Sequence, residues 1–130
     1  MEKTLLVADD AAILRAKIKD AARSRGWTIV GEARNGKEAV ELFTELRPTA
    51  TTLDLVMPEY DGIYALRAII ALDPNAKVIV ISAIGQRTVL RDACNLGATD
   101  FILKPFTKDA IITAIAQVAP SETNLAMPVS

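Results

Sequence analysis

The chain alternates five times between a short apolar run and a segment of helical period, and that alternation leaves few folds open. Leu5 to Ala8 predicts a buried strand. Leu14, Ile18, Ala21 and Ala22 then recur at helical spacing, with Arg15, Lys17 and Lys19 on other faces. Gly26 is a stop signal for that helix. Thr28 to Ala33 predicts a second strand, and Asn35-Gly36 opens a second helix with Asn35 as its cap. That helix turns Ala39, Val40, Phe43 and Leu46 inward and ends before Pro48. Ala50 to Asp54 is a third strand, although Thr51 and Thr52 make it polar for a central position. Gly62 to Leu72 is a third helix, and Asp73-Pro74-Asn75 is a loop. Val78 to Ile81 is the most apolar strand. Arg87 to Leu96 is a helix closed by Gly97, Phe101 to Leu103 a fifth strand, and Asp109 to Val118 a last helix capped by Thr107.

Five strands each followed by a helix imply right-handed crossovers and a parallel sheet covered by helices on both faces. No repeat period marks a solenoid. The 130 residues fit one compact domain, expected over 1–119, with 120–130 a flexible tail where periodicity is lost.

Composition excludes several classes. The formal net charge of -1, with no basic block, argues against nucleic acid as a partner. No apolar run approaches the ~20 residues of a membrane span, and the start does not read as a signal peptide, so a cytoplasmic location is expected. The single cysteine, Cys94, excludes an internal disulfide and is expected to be a small buried hydrophobe. The absence of histidine excludes Ser-His-Asp and Cys-His nucleophiles and imidazole-bound zinc. It also means that phosphohistidine would have to lie on another protein.

If the apolar runs are parallel strands, their carboxyl ends share the edge where open α/β sheets bind ligands. Asp9-Asp10, Asp54, Ser82 and Lys104-Pro105 would then converge there. Taken alone, Asp9-Asp10 reads equally as a solvated turn or a helix cap, and Ser82 as a turn residue. Together they are harder to dismiss. Two carboxylates ~5 Å apart repel by roughly 3 kcal/mol at an effective dielectric near 20. No nearby arginine offsets that repulsion in the sequence, whereas a divalent ion would. All-oxygen ligands favour Mg²⁺, Mn²⁺ or Ca²⁺, with Mg²⁺ suited to joining few carboxylates to a phosphate. Lys104 can pair with phosphoryl oxygens as a point charge, and Ser82 can donate to one. Pro105 invites a cis peptide bond after Lys104. An acidic nucleophile, a metal, a lysine and a hydroxyl are the parts needed for phosphoryl transfer to a carboxylate.

These motifs resemble those of a bacterial response-regulator receiver domain of the stand-alone, CheY-like type. The resemblance runs from about Lys3 to Val118. It rests on Val7-Ala8-Asp9-Asp10, Asp54-Leu55-Val56-Met57-Pro58 with Gly62, Ile81-Ser82-Ala83, and Asp100-Phe101-Ile102-Leu103-Lys104-Pro105-Phe106. It implies a flavodoxin-like fold with strand order 2-1-3-4-5. By resemblance, Asp54 is the phosphoacceptor for a phosphohistidine on a sensor kinase or phosphotransfer protein. Asp10, Asp54 and the Val56 carbonyl would ligate Mg²⁺, with Asp9 reaching it through water. Ser82 and Lys104 would hold phosphoryl oxygens. Phe101 would be the switch aromatic that alters the face formed by the fourth helix, fifth strand and fifth helix. Met57-Pro58 would shape the turn that aims the Val56 carbonyl.

The resemblance also marks Val56 and Ile84 as positions that tune phosphate lifetime. Both are apolar here, so slow autodephosphorylation is expected. Ala8, Thr49 and the Thr51-Thr52 pair depart mildly from the family pattern. The expected protein is a monomeric phosphoacceptor rather than an enzyme, with no appended DNA-binding domain. Ser82-Ala83-Ile84-Gly85-Gln86 resembles stand-alone chemotaxis receivers, which points to a flagellar motor component as the output protein. A phosphorelay shuttle or another stand-alone regulator fits the same residues. A phosphoaspartate-forming phosphohydrolase needs Asp-x-Asp at its nucleophile, and position 56 is Val. A receiver-like module used only for binding would not need the complete acceptor set.

Overall fold

The computed structural model describes residues 2–83 and 85–120. The tail expected from Pro120 onward lies outside them beyond Pro120 itself, as does Ile84. The elements in chain order are β1 (Thr4–Ala8), α1 (Ala12–Arg23), β2 (Thr28–Ala33), α2 (Gly36–Leu46) and β3 (Ala50–Asp54). They continue as α3 (Gly62–Leu72), β4 (Val78–Ala83), α4 (Arg87–Leu96), β5 (Asp100–Lys104) and α5 (Lys108–Val118). The five strands are all parallel, in the order β2-β1-β3-β4-β5. The chain leaves β1 in one direction to form β2 and returns past it to form β3. The order therefore reverses between β1 and β3, which opens a crevice at their carboxyl ends.

Alternation along the strands divides the core into two layers. Leu5, Val7, Ile79 and Ile81 meet Ile18 of α1 and Ile111 and Ile115 of α5. Leu6, Leu53 and Val80 meet Phe43 of α2, Leu66 and Ile69 of α3, and Ala93 of α4. Both faces are thus covered, which is why Leu5 to Ala8 is a continuous apolar run with no exposed residue. Ile81 is fully buried, and its truncation to alanine would cost about 2–5 kcal/mol. The caps anticipated at Asn35 and Thr107 form, with their side chains accepting from Glu38 N at 2.9 Å and Ala110 N at 3.1 Å. Asp61 caps α3 in the same way, accepting from Tyr64 N at 2.9 Å.

Two expectations change, and a third holds against its composition. Cys94 is exposed, not buried. Val89, Leu90, Ala93 and Leu96 already fill the inward stripe of α4, which rotates Cys94 away from the sheet. Leu46 is 37% exposed rather than inward. It is the last residue of α2 and lies over the edge strand β2, where no further strand shields it. Thr51 and Thr52 are both buried, so β3 is central despite its hydroxyls. Their β-branched shape suits the pleated sheet, but Thr52 Oγ1 finds no hydrogen-bond partner.

Candidate functional site

The strand register sets the site. Ala8 pairs with Leu53, Asp54 with Ile81, and Ala83 with Lys104. The strand ends are therefore stepped, with β4 and β5 running two residues past the level of Asp54, and the residues at these ends line a common crevice at the carboxyl edge. Oxygens from Asp9, Asp10 and Asp54 lie within 4.8 Å of one another. Asp9 is fully buried, Asp54 is 3% exposed, and Asp10 is exposed. Lys104 reaches across β4 from β5, placing Nζ 3.0 Å from Asp54 Oδ2 and 3.6 Å from Asp9 Oδ2.

Local turns hold each carboxylate. Asp9 Oδ1 accepts from Ala11 N at 2.9 Å, closing a turn before α1. Asp54 Oδ1 accepts from Val56 N at 3.2 Å. That bond keeps the Val56 peptide beside the acidic cluster, while the Val56 side chain is half exposed. Beyond Met57-Pro58, Glu59 takes a φ of 64°, and Tyr60 N donates to Pro58 O at 2.8 Å. The loop then returns so that Gly62 N donates to Leu55 O at 3.1 Å. A β-carbon on Gly62 would collide with Asp54 O and the Leu55 Cα, so only glycine permits this return. The Lys104–Pro105 peptide is cis, as anticipated.

Burial pushes the Asp9 and Asp54 carboxyls above the ordinary range, even though Ala11 N and Lys104 hydrogen-bond to them. For Lys104, burial pulls the ammonium down. Its bond to Asp54 and the charges of Asp54, Asp9 and Asp10 outweigh that and hold it above its usual value. Lys104 is thus the cation that partly offsets the acidic repulsion, a role the sequence left to a metal alone. It does not complete the task. Asp9 Oδ2 is buried without a hydrogen bond, and three carboxylates face one ammonium. A buried anionic oxygen with only a 3.6 Å ion pair and no hydrogen bond, within an all-oxygen cluster, is compatible with a Mg²⁺ site.

Two anticipated residues stand apart from the cluster in their contacts. Ser82 is fully buried inside β4, one residue past the strand end expected, and its hydroxyl donates to Gln86 Oε1 at 3.2 Å. Phe101 is 46% exposed. It lines a cleft of about 290 Å³ with Ala83, Gln86, Leu90 and Leu103. Sequence reasoning missed Gln86, and it also missed Arg15, whose Nη1 donates to Asp9 O at 2.7 Å and whose Nε pairs with Glu32 at 3.0 Å. Arg15 sits one turn into α1 on a face that reads as solvated. Only the Asp9 turn brings the carbonyl to it.

A family model described as "Response regulator receiver domain" matches residues 5–116. The chemotaxis protein CheY of Thermotoga maritima is 45% identical over 119 residues, spanning 92% of this chain and 99% of that one. CheY of Bacillus subtilis is 45% identical over 115 residues, spanning 88% of this chain and 96% of that one. Among solved structures, a CheX-CheY-BeF3-Mg+2 complex from Borrelia burgdorferi superposes with a TM-score of 0.83 at 32% identity. It covers 88% of this chain and 87% of that one. The open parallel sheet and its acidic crevice thus have a defined class, and the chain belongs to the response regulator receiver domain family. Within it, the chain is CheY-like, a signalling domain of two-component systems. Among the described residues, no helix is long and apolar enough to cross a membrane.

Proposed function

We propose that residues 1–119 form a phosphoacceptor switch whose substrate is the carboxylate of its own Asp54. The observation that carries this reading is the acidic triad, within 4.8 Å, with Lys104 Nζ 3.0 Å from Asp54 Oδ2. An Asp54 oxygen attacks the phosphorus of a phosphohistidine on a partner kinase or phosphotransfer protein. The phosphorus–nitrogen bond breaks as the acyl phosphate forms, and the electron pair leaves with the imidazole. Lys104 is placed to follow the negative charge from the carboxylate onto the phosphoryl oxygens. Ser82 supplies a hydroxyl donor from the neighbouring strand.

Asp10, Asp54 and the Val56 carbonyl would hold Mg²⁺, with Asp9 reaching it through water. When bound, the ion neutralises charge on the transferring group. Asp9 Oδ2, buried without a hydrogen bond, supports this assignment. Phe101, exposed beside the Ser82-bearing strand, is the proposed switch aromatic, and α4, β5 and α5 the output face. The domain would act by binding rather than by turnover, as a cytoplasmic protein. The CheY relatives favour a chemotaxis output protein, such as a flagellar motor component, over a relay shuttle.

The test is incubation with acetyl phosphate and Mg²⁺, followed by intact-mass measurement. Addition of one phosphoryl group, lost in Asp54→Asn, is the expected result. No adduct would favour a binding-only module, and sustained hydrolysis of phosphate esters would favour a hydrolase.

A further inference from the structure

The Ser82 hydroxyl has one proton to donate, and it is directed away from the acidic cluster. Its nearer acceptor is Gln86 Oε1 at 3.2 Å, with Ala83 O a longer alternative at 3.4 Å. Gln86 Oε1 also accepts from Ala83 N at 2.9 Å, and Gln86 N donates back to Ala83 O at 3.2 Å. Gln86 therefore closes the turn between β4 and α4 on itself and takes the Ser82 proton into that closure. Gly85, with a φ of 100°, gives the turn the left-handed step it requires. The Gln86 side chain is only partly exposed, and the Ser82 hydroxyl is buried, so water competes poorly for this bond.

We propose that Gln86 is a positioning residue that holds Ser82 in the resting arrangement and opposes its turn toward a phosphoryl group on Asp54. This rests on the reading of Asp54 as phosphoacceptor. A phosphoryl oxygen is a charged acceptor and forms a stronger bond than an amide carbonyl. Ser82 can satisfy one of the two at a time. The bond to Gln86 exists only in the resting arrangement, whereas the Ala83 bond can persist in both. Removing the Gln86 acceptor then favours the arrangement that binds phosphoryl.

The probe is beryllofluoride with Mg²⁺, titrated against the full chain and followed by calorimetry. Gln86→Leu is expected to bind it about 3- to 10-fold more tightly than wild type, the range for one net hydrogen bond. In a Ser82→Ala background the same change should have no effect, because Gln86 acts through the Ser82 hydroxyl. A merely structural contribution of Gln86 would weaken binding in both backgrounds and would overturn the proposal. Equal affinity of Gln86→Leu and wild type would overturn it while leaving the Asp54 reading intact. No binding by wild type would overturn both. Should Gln86→Leu fail to fold, the wild-type Gln86 side-chain amide resonances decide. A shift on adding beryllofluoride and Mg²⁺ supports release of Ser82, and no shift overturns it.

Discussion

Replacing Asp54 by asparagine should stabilise the metal-free protein, because the carboxylate is held where its charge is unfavourable. Its oxygen lies within 4.8 Å of an Asp9 oxygen, a repulsion of roughly 3.5 kcal/mol at an effective dielectric near 20. Asp10 is exposed and adds a smaller, screened repulsion. Against these stands Lys104 at 3.0 Å, an attraction of roughly 5.5 kcal/mol on the same scale. Burial adds a further cost of several kcal/mol for a carboxylate without full solvation. With a burial cost of about 4 kcal/mol the unfavourable contributions exceed the attraction by about 2 kcal/mol, which agrees in direction with the raised Asp54 carboxyl. A gain of that size raises the melting temperature by roughly 5–10 °C in a domain of this length.

Trp27 is the single tryptophan and is 4% exposed, so its emission reports unfolding. Melts would be run in chelator at neutral pH. The pH dependence has a defined sign. The folded-state pKa of Asp54 lies above the ordinary value, so wild type loses stability as pH rises through that folded pKa. The variant lacks this loss. Its advantage should be full above the folded pKa and vanish below the ordinary carboxylate range. A melting temperature lower than wild type at neutral pH, or an advantage that grows in acid, would refute the reasoning.

Other consequences can be measured directly. Mg²⁺ should raise the wild-type melting temperature, and the rise should shrink in Asp54→Asn and Asp10→Asn; equal rises in all three would count against the acidic site. Gly62→Ala should destabilise by about 3 kcal/mol in urea, the upper end for overpacking, since the added carbon meets backbone at Asp54 and Leu55. The side chains of Val56 and Ile84 are hydrocarbon and carry no group that could orient a water, so the acyl phosphate should outlast seconds in the isolated protein. A time course of phosphate loss checks this.

Much of this arrangement was legible in the chain because strand ends and chemistry coincide. Apolar runs located β1, β4 and β5, and a parallel sheet necessarily gathers the residues that follow such strands. Asp9, Asp10, Asp54 and Lys104 could therefore be placed together from spacing alone. Contacts that depend on side-chain direction could not. Cys94 lies four residues after Leu90 and fits an apolar repeat, yet Ala93 takes the inward position beside Val89 and Leu96. The tie between Ser82 and Gln86 depends on a turn through the positive φ of Gly85, which periodicity does not encode. The dual pairing of Lys104 depends on reach across a strand, and so on the register.

The central claim concerns which carboxylate takes the phosphoryl group, since three share one crevice. Borohydride reduces an acyl phosphate to an alcohol, converting a phosphorylated aspartate to homoserine. After treatment with acetyl phosphate and Mg²⁺, then borohydride, peptide sequencing by mass spectrometry should find homoserine at position 54. Homoserine at position 9 or 10 instead, or undiminished conversion in the presence of chelator, would contradict the account.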